Sequence, residues 1–141
     1  MFAGIPDCRH GPQDCVLNVT VVKDSNDADG DSPSAGTVVS ENILPLALPS
    51  ALRLPDANIS YTVMDVVTDE QAKAVQVSLT SETTAAYVWL STLEQGRFSD
   101  NAFFLVPGVE KTVEFLSFDE TGTSAAALKA SLRVEHLKMY V

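Results

Sequence analysis

Basic residues are scarce in this chain: 9 Lys and Arg stand against 19 Asp and Glu among 141 residues, a formal charge of −10. So few cations cannot track a phosphate backbone, and no basic cluster gathers them, so no nucleic-acid partner is expected. An anionic membrane surface is disfavoured for the same reason. No apolar run approaches the roughly 20 residues that a membrane-spanning helix needs. The first residues, Met1 to Asp7, have neither a basic n-region nor an apolar h-region, so no signal peptide is expected there and the compartment stays open. Cysteine is nearly absent too. Cys8 and Cys15 are the only two, enough for free thiols or one optional bridge but not for a disulfide framework. With His10 they still fall short of a metal site, which needs a third and fourth ligand, so no metal and no cofactor are expected. His136 stands alone, and no Ser/His/Asp or Cys/His arrangement and no phosphate-cradling glycine loop is present.

What the chain has is apolar and β-branched sequence cut by frequent turns. At 45% hydrophobic residues it can bury a real core, and its length suits one domain or one domain plus the edge of another. Residues 1–14 carry Gly4, Pro6, Gly11 and Pro12 without periodicity and read as irregular. Cys15 to Lys23 reads as a strand with Leu17, Val19 and Val21 on one side and Asn18 and Thr20 on the other. The acidic stretch Asp24 to Ser34 superficially resembles a calcium loop. With Gly30 at the sixth position, however, the first carboxylate and the closing bidentate Glu are both missing, so a solvated connector is expected. Thr37 to Val39 begins another strand, which Pro45 and Pro49 forbid from running on as a central one. A domain boundary is expected within residues 45–58.

Beyond it, strands are expected at Ile59–Val67, Lys73–Ser81, Ala85–Thr92, Ala102–Val106, Thr112–Phe118 and Lys129–Tyr140. Turn signals at Thr68-Asp69-Glu70, Gly96, Pro107-Gly108 and Thr121-Gly122-Thr123 separate them. Val75, Val77 and Leu79 alternate with Gln76, Ser78 and Thr80. Ser124 to Leu128 is rich enough in alanine for one helical turn but too short to stand alone. Short strands at roughly 8 to 12-residue spacing with no long helix predict an all-β, antiparallel immunoglobulin-like β-sandwich.

Two strands break the one-sided rule. In Tyr87-Val88-Trp89-Leu90 and in Phe103-Phe104-Leu105-Val106 both faces are apolar, which predicts that their sheet is covered on its outer side as well. The covering element would be another polypeptide segment. Alternatively, Tyr87 and Trp89, which share a face, form an aromatic platform for a sugar ring. The turn residues Gly96, Arg97, Asp100 and Asn101 are expected to fix loop geometry, with an Arg97–Asp100 ion pair plausible, rather than to touch a ligand. Glu110, Glu114, Asp119 and Glu120 resemble a solvated face. Asn18-Val19-Thr20 and Asn58-Ile59-Ser60 fit the N-glycosylation acceptor pattern, which also arises by chance.

The run Val88-Trp89-Leu90, then Gly96-Arg97-Phe98-Ser99-Asp100-Asn101-Ala102-Phe103-Phe104-Leu105, then Pro107-Gly108, resembles the C-terminal immunoglobulin-like domain of β-mannosidases, multi-domain glycoside hydrolases built around a (β/α)8 barrel. Val39-Ser40-Glu41-Asn42 resembles the segment that joins the penultimate β domain to the last. The resemblance spans roughly residues 15–141 and is strongest over 84–118. It implies a strand and linker at 15–50 from the end of a preceding β domain, and an Ig-like domain at 51–141. It further implies partnership with the catalytic and other β domains of such an enzyme, and a parent family that is lysosomal or secreted. The parent activity it implies is retaining hydrolysis of terminal β-D-mannose from oligosaccharides. That mechanism sets two carboxylates roughly 5 Å apart. In the family those glutamates lie on the barrel, and the Asn-Glu dipeptide that marks the acid/base there is missing here; Glu41-Asn42 runs in reverse. No catalytic residue carries over, and the chain alone, a packing domain or gene fragment, is expected to be inactive.

Overall fold

The computed structural model describes residues 11–23, 37–67, 73–119 and 122–141. Cys8, His10, the acidic stretch Asp24 to Ser34, the Thr68-Asp69-Glu70 turn, Glu120 and Thr121 lie outside the described residues. The chain divides into two compact units between Arg53 and Leu54.

In the first unit, β1 (Val16–Lys23) and β2 (Thr37–Pro45) form an antiparallel pair, with Val16 opposite Pro45 and a register shift between Val21 and Val22. Pro45 is tolerated because it ends a strand with no further neighbour on the described sheet. Cys15, just before β1, is buried and disulfide-bonded. Most side chains of the pair are exposed, including Val19, Val21, Val38, Val39 and Leu44. Two strands bury little by themselves, so this pair has no core of its own.

The second unit is the sandwich. One sheet has the order β3–β4–β8–β6 and the other β7–β5–β9. The strands are β3 (Ile59–Val67), β4 (Lys73–Ser81), β5 (Ala85–Ser91), β6 (Gly96–Phe98), β7 (Phe103–Leu105), β8 (Lys111–Ser117) and β9 (Arg133–Glu135). All pairings are antiparallel. Strict alternation on β4 sends Val75, Val77 and Leu79 inward, joined by Val113 and Phe115 from β8. From the facing sheet come Ala85, Val88, Leu90, Phe103 and Leu105. Phe115 at 1% exposure is the largest fully buried side chain among the described residues; at about 25 cal/mol per Å2 of apolar area, such a ring contributes several kcal/mol.

Two sequence expectations fail. Residues 129–140 are not one strand: helix α1 (Ala125–Ser131) comes first, then the short β9, then a 3-10 turn at Leu137–Met139. The helix is brief, but it does not stand alone. The Ser124 hydroxyl accepts from Ala127 N at 3.2 Å and Asp65 Oδ1 accepts from Ala125 N at 2.8 Å, so β3 helps cap it. Its Leu128 is fully buried in the core. Tertiary packing and caps thus override the length argument. The second failure is Gly96 with Arg97, expected as turn residues, which instead open β6 opposite Ser117 and Leu116. A Cβ at Gly96 would collide with the Phe115 ring and sit 2.5 Å from the Leu116 carbonyl. The Phe115 ring and the Leu116 carbonyl, not a positive φ, select glycine there.

Candidate functional site

The segment from Gly96 to Leu105 changes sheets. β6 is hydrogen-bonded to β8 in the four-stranded sheet, and β7 to β5 in the three-stranded one. Between them lies the corner Ser99-Asp100-Asn101-Ala102. Ser99 prolongs the first ladder, its N–H donating to the Glu114 carbonyl at 2.7 Å and its Oγ accepting from Glu114 N at 3.0 Å. Asn101 then takes over on the other side. Its Oδ1 accepts from Leu90 N at 2.8 Å and its Nδ2 donates to the Leu90 carbonyl at 2.9 Å. The amide therefore stands in for a strand residue at the edge of β5, beyond the last backbone pair, Val88 with Phe103. Asn101 Oδ1 also accepts from Ala102 N at 3.1 Å, holding Ala102 at a φ of +59°.

Asp100 accepts from Asn101 N at 2.8 Å through Oδ1 and pairs through Oδ2 with Lys111 Nζ at 2.7 Å. Its ionic partner is thus Lys111 and not Arg97, which is exposed and makes no ion pair among the described residues. The Lys111 ammonium also lies 5.4 Å from the Phe103 ring centroid. All of these bonds are internal to the corner and the strands that flank it.

The outer face of the β7–β5–β9 sheet is a separate matter. The β5–β7 register shifts between Ala85 and Val88, and within this bulge Tyr87 takes a φ of +52°. A bulky aromatic is rarely left-handed, and such a residue costs on the order of 1–3 kcal/mol. The bulge lets Ala85 and Ala86 both be buried while Tyr87 turns outward. Tyr87 stacks at a tilt on Phe104, ring centroids 5.0 Å apart. Trp89 follows on the same face and is 53% exposed. Directly across from it is Glu135, whose Oε1 accepts from Tyr140 Oη at 2.7 Å. That bond to Glu135 first, then desolvation and the Glu135 charge, raises the Tyr140 phenol above its usual value, with Arg133 acting in the opposite direction. The face therefore reads Phe104, Tyr87, Trp89, then Glu135 with Tyr140.

The structure brings Tyr87 and Trp89 to one side, as expected, and adds Phe104, Glu135 and Tyr140. The last two were hidden because residues 129–140 read as a single strand; the Ser124 cap before three alanines was the signal for the helix that shortens it. A shallow cavity of about 300 Å3 lies elsewhere, lined by polar groups such as Glu94, Gln95, Asp119 and Thr123, and by none of these aromatics. No group of three His, Cys, Asp or Glu side chains among the described residues is placed to hold a metal.

Two packed antiparallel sheets with a strand that passes from one to the other define an immunoglobulin-type β-sandwich domain. The family model of the mannosidase Ig-fold domain (Ig_mannosidase) matches residues 54–139, and the chain belongs to that family. The match coincides almost completely with the second unit, Leu54–Val141. No curated protein matches the sequence.

Proposed function

We propose that this chain is a non-catalytic accessory domain of a β-mannosidase-like glycoside hydrolase, an enzyme that releases terminal β-D-mannose from oligosaccharides, and that it works by packing against neighbouring domains of that enzyme. The observation that carries the reading is the outer face of the three-stranded sheet, where Trp89 is half-exposed beside the Tyr87–Phe104 pair. Aromatic groups held in one patch on a rigid sheet are the usual material of a buried interface core. The exposed valines of β1 and β2 point the same way for the first unit, whose two described strands need a larger sheet to complete them. The catalytic and other β domains of such an enzyme are the partners. Purified chain is expected to show no hydrolysis of a chromogenic β-mannoside; turnover abolished by mutating one of its own carboxylates overturns the reading.

A second reading has its own support: Glu135 beside Trp89 places a hydrogen-bond acceptor next to an exposed indole, the combination by which sugar-binding modules hold a pyranose ring. Under it the chain is a stand-alone carbohydrate-binding module. Titration with mannooligosaccharides, followed by fluorescence of Trp89, the sole tryptophan, separates the two. A saturable shift supports the module and silence supports the packing domain.

A further inference from the structure

We infer that Asn58 and Asn18 are acceptors for N-linked oligosaccharide, and that the sugars mark the faces of this chain that stay in water. The sequence pattern alone is weak, but the structure adds three independent observations. Both asparagines are exposed, as are the hydroxyl residues Ser60 and Thr20 two positions on. Cys15 is disulfide-bonded, a bond that persists in an oxidising compartment, the kind in which protein N-glycosylation takes place. Asn58 also stands clear of the aromatic patch. Asn58 immediately precedes β3, the edge of the four-stranded sheet, whereas Trp89 lies on the other sheet. On β1, Thr20 lies opposite Glu41 and Asn18 opposite Ile43, with Val16 and Pro45 on the same face, while Leu17, Val19, Val21 and Leu44 share the other.

The chemistry fits the local bonds. Asn58 Nδ2 donates to Glu82 Oε2 at 3.0 Å, and Asn18 Nδ2 donates to Glu41 Oε1 at 2.8 Å. Each primary amide has two N–H groups and uses one in that bond. The co-reactant is a lipid diphosphate-linked oligosaccharide. Its C1–O bond breaks with the electron pair leaving on the diphosphate, the Nδ2–C1 bond forms, and one Nδ2 proton is lost to base. The resulting secondary amide keeps one N–H, so the bond to the carboxylate persists and orients the first sugar. At Asn58 the glycan also shields the open edge of β3, which is otherwise a template for pairing with another strand.

The test is glycopeptide mapping of the protein from cells that produce it naturally. Enzymatic deglycosylation in oxygen-18 water is expected to convert Asn58 and Asn18 to labelled Asp. In the same cells Asn58→Gln and Asn18→Gln are each expected to lower the intact mass by one glycan. Ser60→Ala is expected to remove the glycan at Asn58 while leaving the Asn58–Glu82 bond in place, which separates loss of the acceptor from loss of fold. Unmodified asparagine at either position, in peptides from protein whose Cys15 disulfide is intact, overturns the assignment for that position.

Discussion

Replacing Asn101 by Ala removes the side chain that stands in for a strand at the edge of β5. Three bonds disappear, Leu90 N to Oδ1 at 2.8 Å, Nδ2 to the Leu90 carbonyl at 2.9 Å and Ala102 N to Oδ1 at 3.1 Å. Leu90 is 2% exposed and belongs to the core, so neither of its backbone groups gains full access to water. A typical bond contributes about 1 kcal/mol net, and a buried group left unpaired costs about 1–3 kcal/mol. Some water reaches the exposed corner, so the total is about 2–4 kcal/mol. For a unit of this size that lowers the melting temperature by roughly 10–30 °C. Trp89 is the sole tryptophan and sits next to Leu90, so its fluorescence reports the melting of this unit. Asn101→Asp keeps the acceptor but loses the donor and sets a charge against the Leu90 carbonyl; about half the loss or more is expected. Hydrogen exchange gives the local readout, with the Leu90 amide losing protection in Asn101→Ala ahead of the Val77 amide in mid-sheet. A variant within about 0.5 kcal/mol of the parent, with the Leu90 amide still protected, refutes the strand-substitute account.

Other outcomes follow from the same geometry. Gly96→Ala drives a methyl into the Phe115 ring and the Leu116 carbonyl, and urea denaturation is expected to show a loss of about 1–3 kcal/mol or more. Ala102→Gly relieves the left-handed backbone at φ +59° and is expected to stabilise by up to about 1 kcal/mol; a loss in the same assay contradicts the strain. The Tyr140 phenol, raised by its bond to Glu135, is expected to titrate above 10 when followed by NMR of its ring. The sign follows from linkage. A proton held more tightly in the folded chain contributes stability below the unfolded pKa, and that contribution is lost as pH rises through the folded one. Glu135→Gln is expected to bring the midpoint back towards 10.

The sandwich was legible because its signals were local. Val75, Val77 and Leu79 announce β4 by strict alternation, and turn residues bracket Ile59–Val67 and Lys73–Ser81, which form as read. The greasy outer side of β5 and β7 was also readable, since Tyr87, Trp89 and Phe104 have no polar residues alternating with them. What escaped depends on partners remote in sequence. Gly96 looks like a turn until Phe115 is placed against it, and the helix at Ala125–Ser131 looks too short until Asp65 caps it and Leu128 enters the core. Arg97 and Asp100 look like an ion pair from their spacing alone, yet β8 delivers Lys111 to the carboxylate. The Asn101 amide was assignable to the turn, but its mimicry of a strand became visible only once β5 lay beside it.

The central claim, that the Tyr87–Trp89 face meets another domain, is tested most directly by the emission of Trp89 in the full chain mixed with a β-mannosidase-like enzyme lacking its own terminal Ig-like domain. The account predicts a saturable blue shift as the indole leaves water, and none with mannooligosaccharides alone. A shift with the sugars and none with the enzyme contradicts it.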